Sequence, residues 1–348
     1  MLVASPSGAS AIMGKEFPSK FTHYGLRRKH NFRVWACEFP AFLPKEVENI
    51  KDQFARNLAS RIDRLPVPLS LTKNHIMSSC VKPKTLSKTS PLVLLHGFDR
   101  SGSISSVWPF QDIDDIFFVS TVYHFLLLSS LLEWRYVLPL LEEAGLETWA
   151  FDILGWGFSD LENLPPCNVA SKRDHLYQFW NSYIRRPVTL VGPSLGAAVA
   201  IDFVVNYPQA VDKLIFIDAS VYAEGTGNLA KLPKLMAYAG VYLLKSIPLR
   251  LYATSLAFNR LSWNTCVDWT NVKQKALVIW GENDQIIDSK LSVRLQCELP
   301  NAIIRQVPDC GHIPHVEKPA AVSKLITDFV QVDGQVDIPA GLTCLKKV

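Results

Sequence analysis

From residue 91 onward, short apolar runs alternate with longer stretches of helical spacing. The runs fall at residues 91–95, 148–153, 187–191, 213–217, 276–280 and 302–307, each too short for a helix. The stretches between predict helices over 132–144, 171–184, 197–205 and 320–330. A strand that is apolar along its whole length is buried on both faces, and strands alternating with helices pair in parallel with the helices packed on either side. The pattern therefore predicts an α/β fold with a mostly parallel central sheet and helices on both faces. Ahead of it, Val47, Ile50, Phe54, Leu58 and Ile62 recur at helical spacing and predict one amphipathic helix over 44–65. Docking on the domain is its simpler use, and peripheral contact with a membrane is the other. Residues 221–275 interrupt the alternation with Leu-, Tyr-, Ala- and Trp-rich sequence. A helical insertion there is placed to act as a lid over a pocket, excluding water.

Composition narrows the class. The chain has 348 residues, 48% hydrophobic and 20% charged, with a net charge of +4. That suffices for one large domain with a sizeable core. No dense basic stripe interleaved with aromatics occurs, which argues against nucleic-acid binding. The seven cysteines are scattered and form no C-x-x-C pair, so neither a disulfide framework nor a zinc site is expected, and a reducing compartment fits. Residues 1–36 hold six Lys/Arg against a single acid, Glu16, with several serines and no long apolar segment. Such a leader reads as an organelle transit peptide. The expected organisation is a transit peptide over 1–36, a helix with lead-in strands over 37–90, a catalytic domain over 91–331 and a tail over 332–348.

The chemistry gathers at strand ends. Gly192-Pro193-Ser194-Leu195-Gly196 stands where a strand runs into an apolar helix. A serine on that sharp turn is thrust out at the top of the sheet, and the helix behind it offers N–H groups to a developing oxyanion. A serine nucleophile needs a base, and the base needs an orienting acid, in the chain order Ser, acid, His for a site of this kind. Asp284 follows the strand at 276–280 and His312 follows the strand at 302–307, so these three are the candidate catalytic residues. His315 and His96 compete for the base; His315 falls at the entry to the last helix and suits packing, and His96 suits loop shaping. Asp218, at the end of the strand at 213–217, is the alternative acid; Glu282 and Asp288 fit less well. His96-Gly97-Phe98 closes the first strong strand, and the backbone N–H groups of Phe98 and Leu195 are the expected oxyanion donors. The run Asp152 to Ser159, with Gly155 and Gly157, marks a tight loop beside the pocket. No cofactor or metal is called for.

Taken in order, His-Gly-Phe, the Asp152 to Ser159 run, Gly-Pro-Ser-Leu-Gly, Gly-Glu-Asn-Asp and Gly-His-Ile-Pro-His-Val-Glu-Lys-Pro resemble the α/β-hydrolase superfamily. The match covers most of 91–330. More finely, Trp134-Arg135-Tyr136 and the stretches 138–159, 191–202 and 218–251 are similar to plant plastid α/β-hydrolases, whose wider relatives include chlorophyll dephytylase-like and pheophytinase-like enzymes. The resemblance implies a serine hydrolase of a hydrophobic carboxylic ester, a small-molecule substrate and a plastid location. The alternatives are a non-catalytic ligand-binding or receptor protein on the same fold, or an inactive splice product. Two departures from the group stand out. About thirty residues, 100–131, separate the His-Gly-Phe loop from Glu133-Trp134-Arg135, where the group has a few. Their apolar part approaches the length of a membrane span, but a span there would tear the sheet between adjacent strands. The lid, in turn, is shortened near Trp269 to Val272.

Overall fold

The computed structural model describes residues 39–70, 75–97, 130–160, 169–221 and 271–331. Within them eight strands form one sheet: β1 (Ile62–Pro68), β2 (His75–Val81), β3 (Leu92–Leu95), β4 (Thr148–Phe151), β5 (Val188–Pro193), β6 (Val211–Ile217), β7 (Lys275–Gly281) and β8 (Ala302–Val307). Their spatial order is β1-β2-β4-β3-β5-β6-β7-β8. β2 pairs antiparallel with both β1 and β4, and every pair from β4 through β8 is parallel. The expected mostly parallel sheet, covered on both faces, is what the chain forms.

The pleat divides each apolar run between two cores. Val93 and Leu95 of β3 enter one and Leu92 and Leu94 the other; β6 sends Leu214 and Phe216 one way and Ile215 and Ile217 the other. On the first face lie α3 (Val169–Phe179), α4 (Leu195–Asn206) and α5 (Lys290–Glu298); on the second lie α1 (Gln53–Ala59), α2 (Val137–Glu143) and α6 (Pro319–Gln331). Full burial on both faces explains why these strands read as unbroken apolar runs rather than as alternating ones.

The expected helix over 44–65 forms differently. It divides into a short 3-10 turn, Lys45–Asn49, and α1, and its last residues belong to β1. Asp52 makes the division: its carboxylate accepts from the N–H groups of Phe54 and Ala55, an N-cap that starts a fresh helix. Val47, Ile50, Leu58 and Ile62 are buried as expected, but Phe54 is 54% exposed. Pro66 and Pro68 sit in β1, which is the sheet edge, where a residue without an N–H costs no ladder bond. Between β3 and β4, Ser130 and Leu131 are buried in the second core, so the ordered frame resumes inside the segment assigned from sequence to the insertion. The bulk of that segment, the lid at 222–270, the leader and the tail lie outside the described residues. Among the described residues no helix is long and apolar enough to cross a membrane.

The cysteines depart from expectation at one position. Cys297 is disulfide-bonded, whereas Cys80 and Cys310 are free. Cys80 and Cys310 are buried, and burial pushes both thiols up to about 12, so neither offers a thiolate.

Candidate active site

β5 delivers Ser194 to the C-terminal edge of the sheet and α4 begins at the next residue. The turn is strained: Ser194 has φ 43° and ψ −115°, an unusual conformation for a residue with a side chain. It is held from both sides, with the Ser194 N–H donating to Ile217 O at 2.8 Å and Ser220 N–H donating to Ser194 O at 3.0 Å. Both flanking glycines are required sterically. A Cβ on Gly192 would meet the Gly196 carbonyl at 2.6 Å, and one on Gly196 would meet His96 O at 2.7 Å. The result presents the Ser194 hydroxyl beside Leu195, the first residue of α4, whose N–H has no partner within its own helix by geometry.

The loops after β7 and β8 bring the other two residues. His312 Nε2 lies 3.2 Å from Ser194 Oγ and His312 Nδ1 lies 2.8 Å from Asp284 Oδ2. Asp284 Oδ1 accepts from the N–H groups of Ile286 and Ile287 at 2.8 and 3.1 Å, which fixes the carboxylate. Its side chain is fully buried. The structure thus joins all three of Ser194, Asp284 and His312. With Nδ1–H donating to Asp284, Nε2 is left to accept from the serine hydroxyl.

Asp218, the alternative acid, is also here, at the end of β6 and buried. The carboxylate and imidazole atoms of Asp218, Asp284 and His312 lie within 4.8 Å of one another. The 2.8 Å contact between His312 and Asp284 is that of a hydrogen bond, so the cluster is a proton-linked chain and not an open ligand set for a metal. Glu282 and Asp288, the weaker acids, are exposed; Asp288 caps α5 through Lys290 N–H, and Glu282 accepts from Asp309 N–H.

Beside the serine, the loop after β3 is anchored by side chains. His96 Nε2 accepts from Ile153 N–H at 3.1 Å and Nδ1–H donates to Gly97 O at 2.8 Å, so this imidazole is neutral and shapes the loop. Gly97 N–H donates to Glu133 Oε2 at 2.6 Å, and Glu133 Oε1 meets His315 Nε2 at 2.7 Å. The sequence reading overlooked Glu133. Its signal was a lone acid among Leu131, Leu132 and Trp134, in a stretch too apolar to be a solvated face. Phe98 lies outside the described residues. Asp152, fully buried, accepts from Leu131 N–H at 2.6 Å, from Phe158 N–H at 2.9 Å and from the Ser79 hydroxyl. Burial raises its carboxyl above the ordinary range, against those donors. Gly157, at φ 64°, leaves room for it, since a Cβ there would lie 2.0 Å from the Asp152 carboxyl carbon. A small cleft beside Leu195 is lined by Gly97, Ile153, Trp156 and Val199, with the stem of Lys172 at its side.

A strained serine elbow, an aspartate and a histidine delivered in that order by three parallel strands define a class, the α/β-hydrolase fold. The chain belongs to the alpha/beta hydrolase family, whose family model matches residues 92–325. It is 50% identical over 326 residues to alpha/beta hydrolase domain-containing protein VTE7 of Arabidopsis thaliana, spanning 84% of this chain and 90% of that protein. Among solved structures, a thermophilic esterase from Thermogutta terrifontis superposes with a TM-score of 0.56 at 18% identity, over 77% of this chain and 97% of that one. A serine hydrolase involved in carbazole degradation superposes with a TM-score of 0.55 at 17% identity, over 78% and 100%. At those identities the two structures attest the fold.

Proposed function

We propose that this protein hydrolyses a carboxylic ester through Ser194, His312 and Asp284. The observation that carries the reading is the unbroken chain from Ser194 Oγ to His312 at 3.2 Å and on to Asp284 at 2.8 Å, mounted on a strained turn. Ser194 Oγ attacks the ester carbonyl while His312 Nε2 takes its proton. Asp284 keeps Nδ1 protonated, which leaves Nε2 basic, and stabilises the imidazolium that forms. His312 then returns the proton to the leaving alkoxide oxygen, and the acyl group stays on Ser194 until a water, activated by the same histidine, releases it. The Leu195 and Phe98 N–H groups are the donors this reading assigns to the oxyanion. The Leu- and Tyr-rich sequence at 221–275 supports a hydrophobic acyl or prenyl-type ester. The basic, acid-poor leader and the likeness to a plant protein support a plastid location.

Fluorophosphonate labelling of the purified chain tests the reading. Labelling that disappears in Ser194→Ala is the expected result. A folded protein that takes no label would instead favour the non-catalytic, ligand-binding use of the fold.

A further inference from the structure

Asp218 is a buried carboxyl group beside a buried carboxylate. It occupies a strained backbone position, φ 42°, at the end of β6, and its own N–H donates to Ile279 O at 3.0 Å. Its Oδ1 accepts from Gly281 N–H at 2.9 Å. Its Oδ2 is sealed from solvent and receives no donor from any described residue, and a carboxylate oxygen of Asp218 lies within 4.8 Å of one of Asp284. Two ionised carboxylates cannot share such a site at tolerable cost, because each repels the other and neither is hydrated. Asp284 has the stronger claim to the charge. It accepts from Ile286 and Ile287 and is paired with His312, whereas Asp218 has one backbone donor. We infer that Asp218 is a neutral carboxylic acid whose Oδ2–H donates to the Asp284 carboxylate, so that it is a positioning residue forming a fourth link behind Ser194, His312 and Asp284. The proton satisfies the Oδ2 left bare and gives Asp284 a second fixed donor direction. Asp284 is thereby held on His312 Nδ1 without a second negative charge in the site.

The surroundings agree. Burial first, and the Asp284 charge second, hold the Asp218 carboxyl well above the ordinary carboxylate range. The other groups that face it are His312 and Cys310, from the loop after β8, and Glu317, from the single turn Pro314–Glu317. None supplies a fixed positive charge that would favour ionisation. A consequence for folding follows from linkage. The unfolded Asp218 loses its proton near the ordinary carboxylate value of about 3.9 while the folded one keeps it, so the contribution of Asp218 to stability falls as pH rises above that value.

This inference rests on the esterase reading, and the tests separate the two. Asp218→Asn keeps an acceptor for Gly281 N–H and a donor for Asp284. It is expected to hold kcat/KM on a p-nitrophenyl ester to within about threefold of wild type. The acidic limb of its pH profile, set by His312, stays where it is, because no charge has been removed. Asp218→Ala loses both bonds and falls by about ten- to a hundredfold, through misplacement of the acid and base. The melting-temperature advantage of Asp218→Asn over wild type grows from acidic to neutral pH. The infrared carbonyl band of a protonated carboxyl disappears in Asp218→Asn. An ionised Asp218 would give the opposite results: a large rate loss in Asp218→Asn, an acidic limb moved to lower pH, and no protonated-carboxyl band in wild type. Either the missing band or the moved limb overturns the inference, and an unimpaired Asp218→Ala overturns the positioning role. If neither wild type nor variants turn over an ester, the esterase reading fails, and the infrared band still decides the state of Asp218.

Discussion

Two histidines three residues apart each meet a buried carboxylate, and they are used differently. His312 Nδ1 meets Asp284 at 2.8 Å, and His315 Nε2 meets Glu133 at 2.7 Å. His312 therefore turns its Nε2 outward, 3.2 Å from Ser194 Oγ. His315 spends its Nε2 on Glu133, keeps its Nδ1 buried with no hydrogen-bond partner among the described residues, and lays its ring on Trp134 at 4.9 Å. The carboxylates differ in the same sense. Asp284 is otherwise tied to its own loop, through Ile286 and Ile287, whereas Glu133 reaches across to Gly97 N–H. A carboxylate–imidazole pair is thus not catalytic by composition. The nitrogen that remains free, and what it faces, decides between proton transfer and structural support. Here one pair faces the Ser194 hydroxyl and, on the proposed mechanism, serves it as base, while the other braces the loop after β3.

The sharpest way to break this contrast is to remove each imidazole. His312→Ala, like Ser194→Ala, is expected to lower ester turnover by about four to six orders of magnitude with little change in melting temperature. His315→Ala is expected to do the reverse, costing stability and leaving a measurable kcat. Equal kinetic losses in the two, with both proteins folded, would erase the distinction.

Asp284→Asn comes next. The Ile286 and Ile287 N–H groups hold the amide oxygen, so the amide NH2 faces Nδ1 and donates to it, His312 settles in the wrong tautomer, and kcat falls by about 10⁴ while the fold stands. A rate near wild type would move the orienting role to another group.

Glu133→Ala sharpens the other half. It leaves Gly97 N–H and His315 buried without their partner, and breaking a buried pair from one side costs about 3–5 kcal/mol. The loop it releases adjoins Ser194: Gly97 is so close that a Cβ on it would lie 3.3 Å from Ser194 Cβ. An accompanying fall in kcat of about tenfold to a hundredfold, with KM less affected, is expected from loosened geometry. Thermal melting alongside steady-state kinetics checks both parts. A stability loss with unchanged kcat would confine Glu133 to the core.

Much of this was legible in the sequence, and the rest was hidden for identifiable reasons. β5 and β7, which lead to Ser194 and Asp284, are buried on both faces and stand out as apolar runs, whereas β8, at the sheet edge before His312, is only partly buried. The elbow, Asp284 and His312 follow strand ends in a fixed chain order. β1 was less visible because an edge strand carries prolines and a mixed burial pattern, and β2 because its buried positions include the polar Ser78 and Ser79. The division of the first helix at Asp52 is a matter of one N-cap, and Val47, Ile50, Leu58 and Ile62 are buried whether the helix breaks there or not. Glu133 escaped because its partners, Gly97 and His315, lie 36 and 182 residues away and come together only in the folded chain.

The smallest effect expected comes from the segment between Gly97 and Ser130, which separates two anchored points. Before it, Gly97 N–H is held by Glu133; after it, Leu131 N–H is held by Asp152, whose carboxylate also lies 3.9 Å from His96 Nε2. Both ends are therefore held by buried carboxylates, Glu133 and Asp152. The natural link, residues 98–129, is 32 residues long. Closing so long a loop costs about 1–2 kcal/mol more than closing one of about six residues. Its sequence at 116–129, with Phe117, Phe118, Phe125 and a run of leucines, would add an apolar patch wherever it is not covered. Deleting residues 101–128, while sparing the buried Ser130 and Leu131, is expected to raise soluble yield and to change the esterase rate upward by a few-fold at most. Yield, melting temperature and kcat/KM of the deletion variant measure this. A variant that folds but loses its activity, beside an active full-length chain, would show that the segment contributes to the site and that this branch of the family has built a second cover over its pocket.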